Sequence, residues 1–452
     1  MMRRAADSRV MTREQAQALI ERVVKMSKAE GIQVNIGGGY NANIRFADNR
    51  ISTAGGVATA NVNVQSSFGA KHAVTVTNDL SDAGLERAVR QSEALAKLAP
   101  DDPESMPLLG PQQYEEVKSY FDSTANLGPE GRAEAARAAI DPCKAAGDLK
   151  AAGFLITGIG AGAVGNNKGL FAYQAGTTAN YTLTVRTTDG LGSGWAGADH
   201  PDWSQLDVKA VAQRAIEKAR RSRGAVAIEP GRYTVILEPQ AVGDLVQLLA
   251  FALDARSADE GRSPFSKQGG GTKIGEKIVD ERVTLFSDPA DPQLLSNVFD
   301  GQGLPARRQV WIENGMLKKL TYSRFWAQKK NQQPDAGTNA VKLNGGAQST
   351  EELIASTPRG VLVTRLWYLR PVDPRTVLYT GLTRDGTFLI ENGKITKSVK
   401  NMRFNESPLF MLNNLEGLGR AERVAGTESG GDVVMPAIKV RDFNFTSLSD
   451  AV

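Results

Sequence analysis

Ala16, Leu19, Ile20, Val23 and Val24 recur at helical spacing before Gly31, and Thr12 with Glu14 close behind supplies a cap, so a helix is predicted there. The period then shortens. Residues 42–46, 58–65 and 72–77 carry apolar side chains at every second position, which predicts strands of one antiparallel sheet. Asn78-Asp-Leu-Ser-Asp caps a second amphipathic helix, carried by Leu85, Ala88, Val89 and residues 94–98 and stopped by Pro100.

Residues 100–120 hold Pro and acidic residues without periodicity and form a traverse between elements. A helix over 130–146 and strand-rich sequence over 153–198 follow, with Asn166-Asn-Lys-Gly and Thr188-Asp-Gly as turns. The helix predicted over 207–223 ends in Lys218, Arg220, Arg221 and Arg223, cations that suit a helix C-terminus; an anion site is the alternative. A boundary near 224–231 divides the chain into residues 1–225 and 226–452. Beyond it come a strand over 232–237 and a helix over 240–256, with Val242, Leu245, Val246, Leu249 and Leu253 on its apolar face. A glycine-rich loop over 261–271 and two Asn-Gly hairpins, Ile312-Glu-Asn-Gly and Ile390-Glu-Asn-Gly, come next. In the alternating run 361–369, Trp367-Tyr368 is read as strand packing rather than a stacking platform. The fold class is α+β: an N-terminal α/β domain with an antiparallel sheet and flanking helices, and a C-terminal β-rich sandwich or barrel.

Composition narrows the chemistry. A length of 452 residues predicts two or three domains, and 41% hydrophobic residues can fill their cores. The 54 Lys plus Arg against 50 Asp plus Glu leave +4, too dispersed for a nucleic-acid binder. No apolar run approaches a membrane span and residues 1–10 lack the apolar core of a signal peptide, so the expectation is a cytoplasmic protein without membrane contact. Cys143 is the lone cysteine and reads as a helix-face residue. With only His72 and His200 beside it, far apart in sequence, donors for a zinc site are scarce.

The apparent motifs are weak. Gly160-Ala-Gly-Ala-Val-Gly165 matches the dinucleotide fingerprint by letter, but a turn and strand follow it where the phosphate needs a helix N-terminus. His200, flanked by Asp199 and Asp202, could serve a Ser-His-Asp arrangement, although no Gly-x-Ser-x-Gly elbow accompanies it. His72 sits in a predicted strand. Asp254, Asp259 and Glu260 could do acid/base work, yet such spacing is common on solvated faces.

Several separated segments resemble the TldD/PmbA family, also described as modulators of DNA gyrase. They are Ala73-Val-Thr-Val-Thr-Asn-Asp-Leu-Ser, Asn166-Asn-Lys-Gly-Leu-Phe-Ala-Tyr, Gly194-Trp-Ala-Gly-Ala-Asp, Gly303-Leu-Pro-Ala-Arg-Arg with Ile312-Glu-Asn-Gly, and Ser349-Thr-Glu-Glu-Leu-Ile-Ala with Phe388-Leu-Ile-Glu-Asn-Gly. The resemblance implies a dimer and, in active members, a zinc metallopeptidase that cuts unfolded peptides. Its His-Glu-x-x-x-His helix follows the strand that opens the second half, and a Cys near the C-terminus adds a ligand. Placed through Pro239 and Gly243, that helix puts Gln247, Leu248 and Ala252 at its His, Glu and His positions. Residues 415–431 contain no Cys, and no His follows Trp203.

The expected function is therefore that of the TldE/PmbA-type subunit: no catalytic residue, metal or cofactor of its own, and a role in holding unfolded peptide beside a TldD-type catalytic partner. The loop 261–271 is a candidate lip of the peptide cavity, with an ordinary surface loop as the alternative. Two other functions remain open: a self-associating peptide-binding scaffold, and a metal-independent hydrolase using His200 or the 254–260 carboxylates.

Overall fold

The structure, a computed structural model, describes residues 10–337, 340–426 and 432–449. Its first half begins with helix α1 (Arg13–Met26), where Thr12 and Gln15 form a capping box. Three strands follow, β1 (Gly31–Ala47), β2 (Arg50–Phe68) and β3 (Lys71–Thr77), and then α2 (Asp82–Leu98), capped by Ser81. After the traverse come α3 (Asp122–Ala125), α4 (Pro129–Ala146), β4 (Leu149–Asn166), β5 (Phe171–Thr187), β6 (Ser193–Asp199) and α5 (Val208–Arg221). The strands form one six-stranded antiparallel sheet in the order β3-β2-β1-β4-β5-β6.

Strands of 17 to 19 residues are long enough to cross two separate cores. At one end Ile32, Val34, Ile36, Val62 and Val64 bury against Leu19, Ile20 and Val23 of α1 and Leu85 and Val89 of α2. At the other end Ile44, Phe46, Leu155, Tyr181 and Leu183 bury against Ala136, Ala139 and Ile140 of α4 and Val211, Ala215 and Ile216 of α5. Even-numbered residues of β1 serve both cores, as a period of two requires. Between them lies a waist of small residues, with Gly37 opposite Gly162 and Gly39 opposite Gly160. At Gly39 a Cβ would meet the Ile159 carbonyl oxygen at 2.0 Å, so only glycine permits that strand approach.

The second half opens with β7 (Gly231–Leu237), α6 (Pro239–Phe251) and α7 (Ala255–Asp259). Short strands follow: β8 (Leu285–Ser287), β9 (Gln309–Glu313), β10 (Met316–Leu317) and β11 (Ala340–Leu343). Then come β12 (Arg359–Val363), β13 (Leu366–Asp373), β14 (Leu378–Thr383), β15 (Thr387–Glu391), β16 (Lys394–Ser398), β17 (Met402–Glu406), β18 (Leu415–Arg423) and β19 (Asp432–Leu448). All join one thirteen-stranded mixed sheet in which β12 lies parallel to β7 and β11 parallel to β19. Strand β19 pairs with β7, β11, β17 and β18, and α6 packs over it to form the largest core. No helix among the described residues is long and apolar enough to cross a membrane.

The α+β class stands, with two local corrections. The helix expected over 240–256 ends at Phe251, because Asp254 accepts from the Ser257 N–H and caps a new helix. The run 361–369 is two strands, β12 and β13, which pair with different neighbours. Tyr368 there has φ +58°, and Arg384 lies over Trp367 and Arg370 over Tyr368, so each ring carries a guanidinium on its face. Both Asn-Gly pairs form the expected turns, with positive φ at Asn314, Gly315, Asn392 and Gly393.

Candidate functional site

A groove of about 680 Å³ lies between the glycine waist and the second half. Its floor is the sheet face turned away from the helices. Asn35, Gly37, Gly39 and Asn41 of β1, Gly158, Gly160 and Gly162 of β4, and Gln174, Gly176 and Thr178 of β5 alternate onto it. A Cβ on Gly160 would find its nearest neighbour at 3.4 Å and one on Gly162 at 3.9 Å. The protein therefore has room for side chains at these two positions, and their absence leaves the groove open.

The opposite wall is the loop from Leu295 to Gly301, with Arg423 and Asp432. Side chains of the floor hold this wall in place. Asn35 and Gln33 donate to the Gly301 carbonyl, while Gln174 donates to the Ser296 carbonyl and accepts from the Val298 N–H. Arg423 ties the halves together: it pairs with Asp199 of β6 and Asp432 of β19, each at 2.7 Å, and donates to the carbonyls of Gln293 and Leu294. Asp300 carries the one clearly shifted carboxyl on the loop itself: burial raises its pKa, against N–H bonds from Leu304 and Gln302 and the charge of Arg324. Most of the lining is neutral amide, hydroxyl and bare backbone, which can hydrogen-bond a peptide main chain without selecting its side chains.

The sequence-predicted candidates lie elsewhere. Gln247 is fully buried in α6 with neither amide atom hydrogen-bonded, Leu248 is buried beside it, and Ala252 caps the helix end. None of the three lines the groove. Between them they offer one neutral amide oxygen, which does not suit zinc, and no group of three His, Cys, Asp or Glu among the described residues is placed to hold a metal. Residues 427–431, the end of the segment in which the resemblance looks for a Cys, lie outside the described residues.

His200 does not form a triad. Its Nδ1 accepts from the Asp202 N–H, and burial first, with Arg423 nearby, lowers its pKa. The Asp202 carboxylate is taken by Ser123 and Ser204, and that of Asp199 by Arg423 and Asn180. His72, on the half-buried β3, sits 3.9 Å from Asp102 in the traverse after α2. Cys143 is buried, its thiol pushed up to about 11 by burial. Asp254 is a helix cap, Asp259 accepts from the Trp326 indole N–H, and Glu260 pairs with Arg256 and Arg262, so this cluster converges on no common point. Lys218 pairs with Glu238 and Arg223 with Asp148, which accounts for two of the four cations ending α5. Gly160–Gly165 lies inside β4, with no helix to receive a phosphate. The 261–271 loop is pinned by the buried Phe265 and contributes nothing to this groove's lining.

Two models of one family match most of the chain beyond residue 124, the PmbA/TldA metallopeptidase central domain over residues 125–223 and the C-terminal domain over residues 230–447. The chain belongs to the PmbA/TldD family. Its fold is that of TldE from Thermococcus kodakarensis, with a TM-score of 0.84 at 21% identity, covering 95% of this chain and 99% of that one. Curated relatives include a metalloprotease of Methanothermobacter thermautotrophicus, 28% identical over 231 residues, which are 47% of this chain and 48% of that protein. A metalloprotease of Archaeoglobus fulgidus is 24% identical over 46% of this chain and 50% of its own length. The match thus spans about half the length of these relatives. Composition hid the groove, but one signal was available: the glycines of 37–39 and 158–162 recur on alternate positions of adjacent strands.

Proposed function

We propose that this PmbA/TldD-family chain is a non-catalytic subunit that holds extended, unfolded peptide in the groove over the glycine waist and works beside a catalytic, TldD-type relative. The observation that carries the reading is the donor set. Where the resemblance places the His-Glu-x-x-x-His positions stand Gln247, Leu248 and Ala252, and neither a general base nor two imidazoles can be assembled from them. Leu248 has no group to activate water, and Ala252 has no donor atom. The groove supports the peptide-holding part: a floor without side chains at Gly160 and Gly162 and a lining of neutral amides suit a main chain of any sequence.

Purified alone, the chain is expected to bind no stoichiometric zinc and to leave unfolded casein uncut. Mixed with a TldD-type relative that carries the intact motif, it is expected to give a stable complex on a sizing column, with zinc and chelator-sensitive cleavage appearing in that complex. Stoichiometric zinc in the isolated chain, or cleavage by it that survives chelator, would sink the proposal.

A further inference from the structure

A second cleft, of about 890 Å³, opens between the C-terminal part of α5 and β16. Arg214, Glu217, Lys218 and Arg221, spaced as one face of a helix, line it from the first half of the chain. On the other side all six residues from Gly393 to Ser398 contribute. Successive residues of a strand point to opposite faces, so it is the edge of β16 that fronts the cleft. That edge terminates one side of the thirteen-stranded sheet. Its C-terminal end already receives extended backbone: Val226 donates its N–H to the Ser398 carbonyl and accepts from the Lys400 N–H, each at 2.9 Å. Among the described residues, no strand lies beside the rest of it.

Six cations and three carboxylates line the cleft, an excess of three on a chain whose whole net charge is +4. Lys218 and Arg223 are matched, by Glu238 and by Asp148. Arg214, Arg221, Lys394 and Lys397 are exposed, and their side chains have no ion pair or hydrogen bond among the described residues. Lysines on an edge strand are an ordinary guard against pairing, but that role does not call for two arginines on a helix of the other half. The charges are also spread out. Arg214 and Arg221 stand two helical turns, about 10 Å, apart, a distance that extended chain covers in about three residues and that a single phosphate cannot bridge. Leu362, Phe388, Ile354 and Ile395 add apolar surface to the same cleft. We propose that the cleft binds an extended acidic segment of another protein, with apolar residues among its carboxylates, laid along the free edge of β16. The inference is independent of the peptide-holding role, because this cleft shares no lining residue with the groove over the glycine waist.

Fluorescence anisotropy of the full chain with a labelled peptide of about ten residues, in which Glu and Leu alternate, tests it. This peptide is expected to bind roughly tenfold tighter than peptides of the same length that alternate Lys with Leu or Glu with Ser, and to weaken as salt is raised. Arg221→Glu and Lys394→Glu, one on each wall, are each expected to weaken binding roughly tenfold while leaving the melting temperature unchanged. Gly162→Val, which fills the other groove, is expected to leave this affinity as it is, so failure here and failure of the peptide-holding reading are told apart. Absence of binding, indifference to either charge reversal, or loss of affinity in Gly162→Val overturns the proposal. So does equal affinity for the Glu and Ser peptide or for a single-stranded oligonucleotide, either of which would make the cleft a general polyanion site.

Discussion

Asp300 shows how one side chain carries the conflict between burial and charge. Its Oδ1 accepts both the Gln302 and the Leu304 N–H, and burial raises its pKa. An asparagine keeps that oxygen and loses the charge, so Asp300→Asn is expected to be more stable than the parent at pH 7. The sign follows from linkage: the unfolded chain releases this proton first, so the parent loses stability as pH rises from the ordinary carboxylate value through the raised one. Chemical denaturation of both proteins should show the gap closing below about pH 4, and a gap independent of pH would contradict this. Gln247 is the opposite kind of residue. Its buried amide without hydrogen bonds has no evident benefit to the fold, and the sequence alone, which shows a glutamine in a helix, could not reveal that cost.

Helices were the legible elements, because their caps and periods are local. Ser81 caps α2 and Thr12 caps α1 where the pattern placed them. What joins those two helices was not legible: Glu93 of α2 accepts from Ser27 Oγ and the Lys28 N–H at the end of α1 and pairs with Arg90. Burial pushes the Glu93 pKa up, and the bonds from Lys28, Arg90 and Ser27 outweigh it, so the net pKa is lowered. The clamp is therefore present above the ordinary carboxylate range and lost as pH falls through the lowered value. Glu93→Gln is expected to cost about 2 kcal/mol at pH 7 and to flatten the acid limb of the stability profile; an unchanged acid limb would refute the assignment. Strand lengths were underestimated, since Gly37–Gly39 and Gly55-Gly56 interrupt the alternation and read as breaks. In the sheet they pair strand to strand. Gly162→Val makes the same point by experiment: the β-branched side chain is expected to hold or raise the melting temperature while weakening peptide binding in the groove at least tenfold. Unchanged peptide affinity would show that the peptide lies elsewhere.

At the scale of the whole molecule, Arg423 is a nearly buried polar tie between the two sheets. Its partners come from residues 199, 293, 294 and 432. Arg423→Ala leaves Asp199 and two carbonyls short of a donor and is expected to cost about 3 kcal/mol, read as a lower denaturant midpoint with the groove loop losing exchange protection first. A cost below measurement would mean that the remaining hydrogen bonds and packing between the halves suffice without it. No sequence pattern announces such a residue, because its partners lie more than two hundred positions apart in one case and nine in another. The same distance in sequence governs how the protein is made. The six-stranded sheet is complete once residue 199 has left the ribosome, whereas the thirteen-stranded sheet waits for β19, its common neighbour, to emerge. During synthesis, β7 and α6 therefore stay exposed for roughly 200 residues of elongation, about ten to forty seconds at ordinary rates. This half of the chain is therefore expected to be the part left open longest to proteolysis and misassembly during synthesis.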